Sequence, residues 1–226
     1  MSAMIPQVDS FLVGWPAYWT MADTYMNFLA HLVLAGDDDG LRLGAMLGDF
    51  VRGRRALDAY PGDVRLGIEL HRHTDQFFDS LPDVANLRKS FPATFRRYSG
   101  IMIDLAYDHE LARHWENYSS QSLEQFDQEI YRLLERNDHL LPERLRQFMR
   151  YAGRRGLFAA YREKPEILYS LRGIGTRLSR PNPLHQVEGI WDELAPRFSA
   201  SFETVFLQVQ SDVPGWLKSR STTTGS

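Results

Sequence analysis

The sequence predicts an all-α protein built as a single compact domain of about seven or eight helices. Three observations carry this. From Met26 onward, apolar residues recur at steps of three and four. No run of strict apolar and polar alternation bounded by hairpin turns appears. Helix-breaking residues fall at Gly36 to Gly40, Pro61-Gly62, Pro82, Pro92, Ser119-Ser120, Pro142, Pro165 and Pro181 to Pro183, at spacings that suit helices.

In chain order, residues 1–25 carry two acids, no base and no sustained periodicity. They read as a leader outside the domain, which spans 26–218. The next run, Phe-Leu-Ala-His-Leu-Val-Leu-Ala at 28–35, is apolar apart from His31. After the acidic break at Asp37, Asp38 and Asp39, a helix through Leu43, Met46, Leu47 and Phe50 carries Asp49 at the edge of its apolar stripe. Pro61-Gly62 opens a further helix that Asp63 can cap. Its inward stripe reads Val64, Ile68, His71, Asp75 and Phe78. A stripe of Ile101, Leu105, Asp108, Ala112 and Trp115 follows, with Asp104 one turn before Asp108 and His109 next to it. Leu123, Phe126, Ile130, Leu133 and Leu134 mark another helix, and Pro142 with Glu143 suits a first turn. Val187, Ile190, Trp191, Leu194, Phe198, Phe202, Val205, Phe206 and Val209 form the last series, in which Pro196 predicts a kink or break. The polar segment 219–226 reads as a disordered tail.

Composition narrows the function. The 226 residues hold 43% hydrophobic side chains, enough for a core without staples, and no cysteine, which removes thiol chemistry and Cys-ligated metals. A net charge of -3 argues against a nucleic-acid binder. No apolar run is long enough for a membrane span, and no basic start with a cleavage site marks a secretory signal, so a cytoplasmic protein is expected.

Four helices therefore carry an acid or imidazole where the core should be: His31, Asp49, His71 with Asp75, and Asp104 with Asp108. Buried carboxylates are costly to desolvate and repel one another unless protonated, paired or bound to a cation. His and Asp at i and i+4 share one helix face, where a single ion can reach both. The bland alternatives are a hydrogen-bonded core imidazole at His31, a pair between Asp49 and Arg52 or a cap on a neighbour, a plain His71–Asp75 hydrogen bond, and a helix salt bridge from Asp104 to Arg97 or a similar base. With nitrogen and carboxylate donors and no thiolate, the expected ion is Mn²⁺, Mg²⁺ or Fe²⁺, with Zn²⁺ possible. Such an ion acidifies bound water from a pKa of about 16 toward about 7 and neutralises charge on a phosphoryl oxygen, which suits hydrolysis of a phosphate ester. Phosphate-cradling glycine loops and a Gly-x-Ser-x-Gly elbow are both missing.

The segments Met26-Asn-Phe-Leu-Ala-His31-Leu, Leu47-Gly-Asp49-Phe-Val-Arg-Gly53, His71-Arg-His-Thr-Asp75 and Asp104-Leu-Ala-Tyr-Asp108-His109-Glu-Leu-Ala-Arg-His114-Trp115 together resemble the acyl carrier protein phosphodiesterase family. The resemblance runs from Met26 to about residue 215 and is tightest before Tyr118. It implies a helical, HD-like fold of a non-standard branch of the metal-dependent phosphohydrolases. It also implies a Mn²⁺ enzyme that releases 4′-phosphopantetheine from the serine of holo acyl carrier protein. Carried over, Asp49, His71, Asp75 and Asp108 are the catalytic and metal candidates, joined by His31 and His109 as further metal candidates. The adjacent His-Asp pair of the standard branch is absent, and Asp108-His109 has the reverse order. Arg72 and Arg113 are candidates for the phosphodiester. Because acyl carrier proteins are acidic, Arg52, Arg54 and Arg55, just beyond Asp49, are the expected docking cluster. Arg88, Lys89, Arg96 and Arg97, and a band of Arg144, Arg146, Arg150, Arg154 and Arg155, are further basic clusters that also read as solvated helix faces. A nucleotide or other small phosphodiester as substrate, or a non-catalytic helical binding protein, remain the other readings. Oligomeric state is open.

Overall fold

The computed structural model describes residues 28–152, 156 and 158–221. The described residues form nine α-helices and no strand: α1 (Phe28–Leu34), α2 (Asp39–Leu47), α3 (Gly62–Ser80), α4 (Pro82–Lys89), α5 (Ser99–Arg113), α6 (Leu123–Arg136), α7 (Glu143–Ala152), α8 (Lys164–Arg177) and α9 (Glu188–Ser221). The all-α expectation holds, with one or two helices beyond the number anticipated. The expected leader, 1–25, and Arg154 and Arg155 lie outside the described residues. Ser219, Arg220 and Ser221 continue α9, so the start of the expected disordered tail is helical, and 222–226 lie outside the described residues.

Helices α2 and α3 pack most extensively against each other. Gly40, Gly44 and Gly48 recur every four residues and share one face. A Cβ at Gly44 would stand 2.4 Å from the Val64 carbonyl oxygen, and one at Gly67 would stand 2.5 Å from that of Leu41. Backbone therefore rests on backbone along this seam. Asp63 lies inside the first turn of α3, with Pro61 before the helix, and its carboxylate accepts the Val64 N–H at 2.9 Å. It thus satisfies one of the unpaired donors of the first turn without being the flanking residue.

Helix α5 is the core helix: 12 of its 15 residues are buried, and it touches α1, α8 and α9. This explains its weak amphipathic pattern, since a helix covered all round has no solvent face to encode. Helix α9 runs unbroken through Pro196 and Pro214, so of the kink or break expected at Pro196 the break does not occur. Each proline forfeits one backbone donor, but Trp191 and Leu194 before Pro196 and Phe198 and Phe202 after it are all buried, so core packing holds both halves in place. Near its end α9 is tied to α3 by His73, which meets Asp212 at 2.5 Å and stacks on Trp216 at 4.9 Å between ring centres. No helix among the described residues is long and apolar enough to cross a membrane.

Methyl groups added at the α2–α3 seam have nowhere to go but into backbone. Gly44→Ala and Gly67→Ala should each lower stability by at least about 1–3 kcal/mol, the range for overpacking, as read by urea denaturation. Gly62→Ala, where a Cβ meets nothing within 4 Å, is the control and should change little.

Candidate metal centre

His31 on α1 and His71 on α3 lie face to face, with ring centres 3.8 Å apart and planes 21° from parallel. Both are buried. Asp75, one turn after His71, spans the pair: Oδ1 is 3.0 Å from His31 Nε2 and Oδ2 is 3.3 Å from His71 Nε2. Asp49, in the turn that ends α2, brings Oδ1 to 3.5 Å from His71 Nε2. One donor atom from each of His31, His71 and Asp75 falls within 4.8 Å of the other two. Asp75 stands at the rim, with its side chain 47% exposed, so the helical stripe that pointed it inward ends at an opening.

Three neighbours set this geometry. A Cβ at Gly48 would stand 2.2 Å from the His71 ring, so glycine there is what lets the imidazole lie against α2. The Thr74 hydroxyl donates to the His71 carbonyl at 2.8 Å and is 3.0 Å from His31 Nδ1. A hydroxyl that gives its proton to that carbonyl accepts from His31 Nδ1–H, which turns Nε2 toward the centre as a potential ligand. That nitrogen faces the Asp75 carboxylate at 3.0 Å. Arg72 donates to the Val51 carbonyl at 2.5 Å and so braces the loop that follows Asp49.

The electrostatics are those of a site short of positive charge. Burial pulls His71 down, but Asp75 and Asp49 outweigh it and push the imidazole up to about 10. Burial and the neighbouring His71 hold His31 below its ordinary value. For Asp75, burial acts upward, yet His31 and His71 prevail and keep the carboxyl below the usual carboxylate range. His31 Nε2, His71 Nδ1 and Asp49 Oδ2 are buried without a hydrogen-bond partner. Two imidazoles and a carboxylate whose ligand atoms lie within 4.8 Å of one another, beside buried polar atoms without partners, fit a divalent cation.

Of the residues expected at the centre, the structure thus brings together His31, Asp49, His71 and Asp75. It does not bring Asp108 and His109 there. The fully buried Asp108 carboxylate accepts the N–H groups of Leu29 at 3.1 Å and Ala30 at 2.9 Å, closing the first turn of α1 from a distance of 79 residues. Burial pushes its carboxyl up to about 8, with those two bonds pulling back. His109 meets the Tyr161 carbonyl through Nδ1 at 2.6 Å and packs edge-on to Trp191. Arg113 faces Glu110 at 3.7 Å. Arg72 is engaged with backbone, and Arg52, Arg54 and Arg55 lie exposed on the loop after Asp49. Of the bases expected to pair with Asp104, Arg97 forms no bridge to it, and the one whose charge reaches it is Arg88. Asp104 has no hydrogen-bond or ion-pair partner among the described residues and lines a crevice beside the centre with His31, Thr74 and Asp75. Its carboxyl is driven well above the usual range by burial and by Asp75 and Asp79. Sequence reasoning missed Thr74, whose role depends on a tautomer, and Gly48, whose four-residue spacing from Gly44 and Gly40 was a visible signal.

An all-α scaffold that gathers two imidazoles and two carboxylates at one opening defines a class: a helical protein with a candidate centre for a hard divalent cation. The sequence profile described as acyl carrier protein phosphodiesterase matches residues 26–209. Proteins of that name are similar to this chain: one from Pectobacterium atrosepticum is 36% identical over 184 residues, 81% of this chain and 93% of the relative. One from Yersinia pestis is 35% identical over 82% of this chain and 98% of its own. One from Escherichia coli O157:H7 is 34% identical over 81% and 93%. The chain belongs to the acyl carrier protein phosphodiesterase family. No solved structure matches it, so the HD-like architecture rests on the sequence resemblance alone.

The two kinds of buried aspartate separate by experiment. Asp108→Asn should cost about 1–3 kcal/mol, because an amide offers one acceptor where two N–H groups need partners, yet the melting temperature should still rise on adding Mn²⁺. Asp75→Ala should abolish that rise. Differential scanning calorimetry with and without metal reads both.

Proposed function

We propose that this chain is a cytoplasmic, divalent-metal-dependent phosphodiesterase, with Mn²⁺ the preferred ion. It hydrolyses the diester joining 4′-phosphopantetheine to the serine of holo acyl carrier protein. The observation that carries the reading is the cluster of ligand atoms from His31, His71 and Asp75, all within 4.8 Å of one another, in a chain whose relatives bear that enzyme's name.

His31, His71 and Asp75 would hold the cation, with Asp49 beside them at the same His71 nitrogen that Asp75 approaches. When bound, such a cation supplies Lewis acidity, drawing charge from a phosphoryl oxygen and acidifying water at its open positions. The chain's own residues prepare this. Thr74 keeps the His31 proton on Nδ1, so Nε2 is a ligand without rearrangement. His71 holds a proton between Asp49 and Asp75 and has to release it as a cation enters, so affinity falls as pH falls. Arg72 fixes the loop that carries Asp49 and the exposed Arg52, Arg54 and Arg55. Arg144 on α7 adds its charge near Arg52. This basic rim follows Asp49 in the chain and complements an acidic partner, which favours it as the docking surface.

Incubated with holo acyl carrier protein and Mn²⁺, the protein should reduce the carrier's mass by that of the prosthetic group, and a chelator should prevent it. Absence of any mass change with Mn²⁺, Mg²⁺, Fe²⁺ and Zn²⁺ removes the reading. Arg54→Glu combined with Arg55→Glu should raise KM for the carrier about tenfold and flatten its dependence on salt, since rim charges act mainly on encounter.

A further inference from the structure

Arg72 joins two segments that each bring a side chain to the centre. It follows His71 on α3, and its guanidinium reaches back to the loop after α2, where it donates to the Val51 carbonyl at 2.5 Å and approaches the Gly53 carbonyl at 3.5 Å. Those two carbonyls flank Arg52, the first arginine of the basic rim, and Val51 lies two residues after Asp49. The start of the loop is also held from other sides. The N–H groups of Phe50 and Val51 return to the Leu47 carbonyl at 2.9 and 3.0 Å, and Phe50 stacks on Phe28 at 6.2 Å between ring centres. Val51 is buried, whereas Arg52, Gly53, Arg54 and Arg55 directly after it are exposed. Gly53 turns this exposed stretch through a left-handed conformation, φ 78°, which favours glycine. A guanidinium carries its N–H donors in a rigid fork, so one side chain can serve both carbonyls of the turn.

Resting on the metal and docking roles proposed above, we infer that Arg72 is a positioning residue that couples the two: by tying the loop of Asp49 and the arginine rim to the helix of His71, it makes cation binding and docking of an acidic protein strengthen each other. Asp49 is what the loop contributes to the centre, with Oδ1 3.5 Å from His71 Nε2. A partner that engages Arg52, Arg54 and Arg55 restrains the loop, and through Arg72 it restrains Asp49 relative to His71. A cation arriving afterwards has less to order. The same factor acts in reverse, because a cation held between Asp49 and His71 fixes the rim in the arrangement that the partner meets. Arg72 itself touches neither cation nor partner.

The test measures binding of apo acyl carrier protein to the full chain by isothermal titration calorimetry, with and without saturating Mn²⁺. The apo carrier has no prosthetic group to lose, so binding is read without turnover. The parent should bind it at least about fivefold more tightly when loaded with Mn²⁺. Arg72→Met keeps the aliphatic stem and removes the fork, and should bring that ratio to within about twofold. Arg72→Lys, with a single ammonium, should keep part of it. Any effect of Mn²⁺ on the carrier itself is common to parent and variants and cancels in the comparison. Titrated with Mn²⁺ alone, Arg72→Met should bind the cation about tenfold more weakly than the parent. Equal binding of the carrier by the parent with and without Mn²⁺ overturns the inference with no variant needed, and leaves the docking surface standing. An Arg72→Met protein that keeps the full ratio also overturns it, since bare attraction between cation and acidic partner then accounts for the effect. A parent that binds no carrier in either state removes the docking reading and the coupling with it. A fivefold ratio that depends on Arg72, with no release of the prosthetic group from holo carrier under any metal, sinks the enzyme and leaves the coupling.

Discussion

The site depends first on how closely two helices approach. Gly40, Gly44 and Gly48 on α2 present bare backbone to α3, and Gly67 answers from the other side. Dispersion and burial act at the shortest range the chain permits, and the reward is positional: His71 rests on Gly48, the residue before Asp49. The distance between those two side chains is therefore set by backbone contact, which deforms far less than side-chain packing does.

On that base the charges arrange themselves economically. Two imidazoles stacked at 3.8 Å cannot both be cations in a buried place, so their protonation is divided. One is neutral and aimed, the other charged and paired. The fold uses buried carboxylates in a second way as well, away from the centre. Asp108 accepts two backbone N–H groups at the start of α1, and Asp127 accepts those of Phe158 and Ala159 at 2.8 and 2.9 Å. These acids bind the chain to itself, whereas Asp49 keeps one oxygen buried and without a hydrogen bond. A burial pattern alone treats the two kinds alike.

This distinction marks how far the sequence could be read. Helix periodicity located α3 and placed His71 on its buried face, because α3 has one wet side and one dry side, while the apolar run around His31 located α1. It failed for α5, buried on all sides, where a polar residue has no face to be exceptional on. Asp108 looked like a ligand for the same reason that it is a good anchor: it is an acid with no water near it. Its partners are backbone groups 79 residues away, and backbone leaves no trace in residue identity. The continuity of α9 through Pro196 was likewise unreadable, since core packing on both sides decides it. Family resemblance added what spacing cannot supply, a reaction, but it did not separate the aspartates that gather at the opening from those that hold the frame.

The Asp108 anchor also bears on the order in which the protein is made. Among the described residues, the N–H groups of Leu29 and Ala30 on α1, just before His31, are held by a residue on α5. During synthesis, the segment bearing His31 leaves the ribosome long before the carboxylate that completes it. The opening therefore cannot acquire its first imidazole in a fixed place until α5 has emerged and folded back, and a nascent chain stalled before that point carries an unfinished centre.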